Sequence, residues 1–536
     1  MGSAASAGAA ASALNLSAAS TKAGPQGTPE VTPAYRDHGF EFLEWDVSRM
    51  AQAMQAGKLS SERLTHAYLK RIEATNHRGP RLRALIETNP EALAIAKTRD
   101  RERKEGKVRG LLHGIPVLLK DNIDTADQTR TTAGSLALQE STPLADAYIA
   151  ARLRAAGAVL LGKTNMSEWA NFRSWSSSSG WSARGGQARN PYVLGRSPIG
   201  SSSGSASSVA ANLTALAIGT ETNGSIVMPA AACSVVGFKP TVGWLSRRGI
   251  VPISASQDTA GPIARTVRDA ALLFSVIAGR DENDPACAKA PERLQDPLGK
   301  LRQGALKGIR LGVARPLFPG SEQVQALMDD AMNQLKSQGA TLIDVPDLED
   351  HGFGGATTDV LLYEFKDGLN RYLATRGPDL ASRTLADLIA FNDRHREKEL
   401  RYFGQHLFVR AQEKGPLTEP AYLKAIETCQ RLSRQEGIDK AMDTRGLDAL
   451  VTPTAGPPWP IDLVNGDHFT GGCSTLPAVA GYPHITLPLG YTQHLPIGIS
   501  FFGRAWSDAE LLGYAYDFEQ LRAARRPPRF LIENEG

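Results

Sequence analysis

One large α/β body is what this sequence predicts, and three observations carry the prediction. Apolar residues alternate between helical spacing and short continuous runs, glycines stand where helices stop and strands start, and no internal repeat divides the chain. A helix expected over 147–156, a stop at Gly157 and the run Ala158-Val159-Leu160-Leu161 are one full instance of that rhythm. At 536 residues, length alone would suggest several domains, but the rhythm continues without a linker.

Taken in order, residues 1–34 are Ala/Ser/Gly-rich and are expected to form a disordered tail. The domain is expected over 35–530 and opens on a helical layer at 35–105, where Leu64, Ala67, Tyr68 and Ile72 share one face behind the capping candidates Ser60 and Ser61. Ile115-Pro116-Val117-Leu118-Leu119 then reads as a strand buried on both faces, ending in Lys120. The rhythm repeats as a helix at 205–212, strands at 213–218 and 309–313, a helix at 324–339 and a strand at 341–345. A more purely helical insertion is expected over 360–437, with Leu361, Leu362, Phe365, Leu369 and Tyr372 along one face.

Composition excludes several functions. With 60 basic and 56 acidic residues the formal charge is only +4, so no nucleic-acid partner is called for. The run from Arg99 to Lys104 interleaves acids with its bases and reads as a solvated helix face, as does the pair Arg525-Arg526. Cys233, Cys287, Cys429 and Cys473 lack metal-ligand spacing and a disulfide framework, so no metal is expected. No apolar run reaches the ~20 residues of a membrane span. The expected location is the cytoplasm, or the periplasm or exterior if Ala9 to Leu16 is the remnant of a secretory signal.

Two motifs match in letters only. Gly157-Ala158-Val159-Leu160-Leu161-Gly162-Lys163-Thr164 spells a phosphate-binding loop, but its middle residues are themselves a strand and leave no open turn of N–H groups for an anion. Gly200-Ser201-Ser202-Ser203-Gly204 spells a nucleophile elbow centred on Ser202. That elbow needs a downstream histidine, and none of His351, His395, His406, His468, His484 or His494 stands in a setting that marks it as a base. Taken singly, Lys120 reads as a lysine whose amine reaches water, the serines from Ser201 as helix caps, and Asn223-Gly224 as a turn.

Together and in this order these pieces resemble the amidase signature family. The resemblance rests on Gly114 to Asn122, Gly200 to Ser205, Gly219-Thr220-Glu221-Thr222-Asn223-Gly224-Ser225 and Gly237-Phe238-Lys239-Pro240-Thr241, within a span from about 40 to 525. Gly180 to Gly186, Leu362 to Lys366, Leu385 to Asn392 and Leu450 to Thr454 are similar to its peptide amidase branch. It implies a single α/β/α domain with a large mixed central sheet covered by helices, and a cofactor-free hydrolase of C-terminal peptide carboxamides that releases ammonia.

The resemblance also implies roles. Ser225 is the nucleophile, Ser201 the relay with a cis peptide bond, Lys120 the base and Ser202 a supporting hydrogen-bonding group. The backbone N–H groups of Thr222, Asn223, Gly224 and Ser225 form the oxyanion hole. Such chemistry requires a neutral lysine, which burial favours, and donors already aimed at the developing charge. Relatives usually carry Asp or Gly where this chain has Asn223. Trp175, Trp459 and the segment from Gly471 to Leu476, with Cys473 and Ser474, are the candidate pocket residues. The alternatives in the same fold are a broad aryl- or alkylamide, ester or carbamate hydrolase and an amidotransferase subunit working in an assembly. A monomer or homodimer acting on a small or peptide amide, away from membranes and nucleic acid, is expected.

Overall fold

The computed structural model describes residues 39–348 and 353–532. The tail expected over 1–34 and His351 lie outside the described residues. Strands run in chain order as β1 (Leu85–Thr88), β2 (Pro116–Lys120), β3 (Val159–Thr164), β4 (Trp181–Ser182), β5 (Gly186–Gln187), β6 (Leu216–Glu221), β7 (Val236–Lys239), β8 (Thr259–Ala264), β9 (Arg310–Val313), β10 (Thr341–Asp344), β11 (Ala449–Pro453), β12 (His484–Thr492) and β13 (Leu495–Phe502). Apart from the small β4–β5 hairpin they form one sheet of 11 strands in the order β1-β3-β2-β6-β8-β7-β12-β13-β11-β9-β10. The sheet is mixed. β3, β2 and β6 are parallel neighbours, β9 lies parallel to both β10 and β11, and the pairs between these groups are antiparallel. Helices Ser203–Ala210, Val267–Ile277, Glu322–Ser337 and Asp508–Arg522 pack on it, giving the single α/β/α domain.

Local chemistry explains the elements that position the site. β2, β3 and β6 are buried at every residue, as continuous apolar runs in a parallel region require. Ser60 caps the helix Ser61–Ile72, its side chain accepting from the Arg63 N–H. The 35–105 segment also supplies a strand, β1, which pairs antiparallel with β3 at the edge of the sheet. β6 runs to Glu221, three residues beyond the strand expected from the apolar run, because its ladder with β8 continues to the Glu221–Thr259 pair. The segment after 353 is largely helical, as Gly354–Ala374, Leu385–Arg394, His406–Gln412 and Pro420–Gln430.

Two readings of charge need correction. Arg525 is not on a solvated face: its guanidinium pairs with both oxygens of Glu44 at 2.8 Å and donates to the Ser234 carbonyl at 2.7 Å. In the basic run, Asp100 accepts from the Ser61 and Glu62 N–H groups at 2.7 and 2.9 Å, so part of that face holds a helix start. All four cysteines are free and buried.

Candidate active site

β2 and β6 lie side by side and parallel in the interior of the sheet with Leu119 level with Ile218, so the residues after both strands converge at one end of the strands. Lys120, the last residue of β2, has no exposed surface, which excludes an amine reaching water. Burial pushes its pKa from 10.5 down to about 7, against the opposing pull of Glu221 and Asp258. Its Nζ lies 2.7 Å from Ser201 Oγ, 2.9 Å from Thr220 Oγ1 and 3.2 Å from the Thr220 carbonyl. A neutral amine has two N–H donors and one lone pair. With three partners, one of them a carbonyl that only accepts, it can accept a proton from one hydroxyl while donating to the other two.

The Gly200–Ser201 peptide is cis. The Ser201 carbonyl accepts from the Ser167 N–H at 3.1 Å, and the Ser202 N–H donates to the Ser225 carbonyl at 3.1 Å, which sets this loop against Ser225. Ser202 is fully buried, donating through Oγ to the Thr220 carbonyl at 3.1 Å and accepting from the Thr220 N–H at 3.2 Å. It is tied to backbone on both sides, the opposite of an exposed elbow nucleophile.

Ser225 ends the turn that joins β6 to the helix Val227–Ala232. Glu221 Oε2 closes that turn by accepting from the Ile226 and Val227 N–H groups at 2.8 and 3.1 Å. Gly224 has φ +77°, a backbone that favours glycine, and a Cβ there would meet Met228 Sδ and Ser474 Oγ at 2.7 Å. Thr222 Oγ1 donates to Asp258 at 2.5 Å, while the other Asp258 oxygen accepts from the Ile253 and Ser254 N–H groups at 2.7 and 2.8 Å. Burial raises the Asp258 pKa to about 6, opposed by these donors. Among the described residues, the N–H groups of Asn223, Gly224 and Ser225 donate to no protein acceptor. The turn therefore presents adjoining free donors beside a serine hydroxyl.

The candidate pocket residues divide. Ser474 Oγ donates to Asn223 Oδ1 at 2.7 Å, and Asn223 Nδ2 lies 3.4 Å from Thr475 Oγ1, so the segment from Gly471 to Leu476 meets the turn. Trp459 is buried in a cluster with Val227 and Met228, its Nε1 donating to Asp467 at 3.0 Å. Cys473 Sγ faces the His484 ring, 3.7 Å from Nε2. Trp175 is 57% exposed and its backbone N–H donates to His406 Nε2; among the described residues no hydrogen bond or ring contact links it to the turn. His484 also faces Ser500 at 2.6 Å, and burial pulls its pKa down to about 3. His395 stacks on Phe391. Lys163 of the false phosphate loop is buried and donates to the Ile123 carbonyl and Thr131.

Sequence reading assigned no role to Thr220, Asn122, Glu221 or Asp258. Thr220 Oγ1 receives both Lys120 Nζ and Asn122 Nδ2, the latter at 2.9 Å. These residues stand inside or near the motifs, but only the three-dimensional pairing of β2 with β6 shows which of them touch.

A family model described as Amidase matches residues 63–512. The chain belongs to the amidase family, and is an enzyme that hydrolyses carbon–nitrogen bonds in amides other than peptide bonds. Among solved structures it is similar to the native peptide amidase from Stenotrophomonas maltophilia, at 52% identity and a TM-score of 0.88, covering 91% of this chain and 99% of that one. It is similar also to peptide amidase PAM in complex with the competitive inhibitor chymostatin, at 53% identity, a TM-score of 0.89 and coverage of 91% and 100%. Among sequences, a probable amidase of Arabidopsis thaliana is 42% identical over 507 residues, covering 92% of this chain and 93% of the relative.

Proposed function

We propose that the chain hydrolyses linear carboxamides with Ser225 as nucleophile, Ser201 as relay and Lys120 as base, and that C-terminal amides of peptides are its preferred substrates. The observation that carries the reading is the buried Lys120 amine, poised at about pH 7 within 2.7 Å of Ser201 Oγ. Ser225 Oγ attacks the amide carbonyl as its proton passes through Ser201 to Lys120. The oxygen charge falls on the free N–H groups of Asn223, Gly224 and Ser225, with Thr222 completing the turn; one such donor is typically worth ~3 to 4 kcal/mol of barrier. Collapse breaks the carbon–nitrogen bond, and the proton returned through Ser201 lets ammonia leave. Water activated by the same relay then cleaves the acyl-enzyme and frees the acid and Ser225.

These steps use only side chains and backbone, so the reading assigns no cofactor, metal or nucleic-acid partner, and a monomer or homodimer suffices. Peptide amides lead among substrates because two solved neighbours of about half identity carry the name peptide amidase. Two measurements test the reading. A fluorophosphonate is expected to add to the peptide that contains Ser225, located by mass spectrometry; addition at Ser202 instead would return the elbow assignment. Ammonia release from a blocked dipeptide amide is expected to exceed amine release from an anilide, and activity confined to the anilide would remove the peptide-amide claim.

A further inference from the structure

The β6–β8 ladder ends on the pair Glu221 and Thr259, and beyond it the two chains stay in touch: Thr222 leaves β6 just where Gln257 and Asp258 lead into β8. Gln257 is 1% exposed, and its Nε2 donates to the Thr222 carbonyl at 3.2 Å. Among the described residues no other donor reaches that carbonyl. A trans peptide unit is planar, with its C=O and N–H pointing in opposite directions, and the Thr222–Asn223 bond is trans. Holding the Thr222 oxygen towards Gln257 therefore turns the Asn223 N–H away from it. This N–H is one of the three in the turn that donate to no protein acceptor.

A side chain can fix a peptide plane only if it is fixed itself. The segment that carries Gln257 closes on its own end, because Asp258 accepts from the Ile253 and Ser254 N–H groups at 2.7 and 2.8 Å while its own N–H donates to the Ser254 carbonyl at 2.9 Å. Glu364, on the helix Gly354–Ala374, holds the same segment from outside. It accepts from Ser254 Oγ at 2.5 Å and from the Ser256 N–H and Oγ at 3.0 and 2.9 Å. Asp258 and Gln257 then do different things to Thr222. Asp258 takes the side-chain hydroxyl, which leaves the following peptide free to rotate, whereas Gln257 takes the carbonyl and sets the plane.

We propose that Gln257 is a positioning residue for the hydrolysis, setting the plane of the Thr222–Asn223 peptide so that the Asn223 N–H faces the oxygen on which charge develops. The inference rests on the reading of Ser225 as the nucleophile beside this turn. A donor aimed before the charge appears stabilises the transition state more than the bound amide, so its loss is read in kcat and not in KM.

Gln257→Met keeps the length of the side chain and removes the donor, and Gln257→Leu removes it with a different shape. With a blocked dipeptide amide as substrate, both are expected to lower kcat at least tenfold, towards the ~100-fold that loss of one such donor costs, and to leave KM within threefold. Two inhibitors separate aim from packing. The trifluoromethyl ketone of the same dipeptide takes Ser225 Oγ onto its carbonyl and holds an oxyanion, while the dipeptide alcohol has no carbonyl to attack. In both variants the ketone is expected to bind at least tenfold more weakly, and the alcohol to bind within threefold of the wild type, which also reports a folded site. Unchanged kcat and ketone affinity in both variants, or equal weakening of ketone and alcohol, would overturn the proposal and leave the nucleophile in place. A ketone found in soaked wild-type crystals on any residue but Ser225 would overturn the reading of the nucleophile and this proposal with it.

Discussion

Lys120 sits where water cannot solvate its charge, and its partners are hydroxyls and a carbonyl. Because the folded chain binds its proton less tightly than the unfolded chain, the burial penalty is fully present below pH ~7. It is relieved as pH rises from about 7 towards the unfolded value of 10.5. A shift of that size corresponds to on the order of 5 kcal/mol. Lys120→Met is therefore expected to gain most stability over the wild type near pH 6, with the difference narrowing by pH 10. Urea unfolding at the two values measures this, and a difference that widens with pH would contradict the direction of the shift. Glu168 is another buried group moved far from its usual range. Burial and the neighbouring Glu399 hold its carboxyl well above ordinary carboxylates, with Arg173 Nε 2.8 Å away as the opposing charge.

At the scale of elements, the turn after β6 and the helices after residue 353 depend on specific fastenings. Gly224→Ala would place a Cβ against Ser474 and Met228 on a backbone that disfavours it, a cost of ~1 to 3 kcal/mol. The turn would have to shift, and ammonia release is expected to fall at least a hundredfold while the far-UV spectrum stays unchanged. Glu399 belongs to the short helix Arg396–Glu399 and accepts from the Leu136 N–H at 2.7 Å and Ser135 Oγ at 3.2 Å. Arg173→Met would leave this carboxyl pair without a cation, and a loss of roughly 3 to 5 kcal/mol is expected by urea unfolding. Sequence pattern made β2, β3 and the helix at 61–72 legible, because continuous apolar runs and capped 3.6-residue spacing have few other readings. The end of β6 was not legible: the apolar run stops at Ile218, and only pairing with β8 extends the strand through Gly219, Thr220 and Glu221.

Across the whole molecule, the sheet order makes neighbours of β2 and β6, although β3 falls between them in sequence. Motif order could suggest that Lys120, Ser201 and Ser225 belong together only through the family resemblance; spacing alone left a surface lysine, a cap and a turn. Long-range charge was the least legible feature. Arg525 reads in the sequence as part of a solvated face, yet it binds Glu44 across 481 positions and joins the two ends of the domain. Arg525→Ala is expected to cost roughly 3 kcal/mol, the low end for a buried pair because Glu44 keeps some exposure. Hydrogen exchange should quicken around Glu44 and in the C-terminal helix Asp508–Arg522, leaving β2 and β6 protected.

Ammonia release from a blocked dipeptide amide, followed from about pH 6 to 9 in the wild type, Ser225→Ala and Lys120→Ala, decides whether Ser225 and Lys120 carry out the hydrolysis. The wild-type rate is expected to rise with pH to a plateau as Lys120 loses its proton near pH ~7, with losses of several orders of magnitude in both folded variants. Full activity in Ser225→Ala, or a Lys120→Ala variant with the wild-type rate and pH profile, would contradict that assignment.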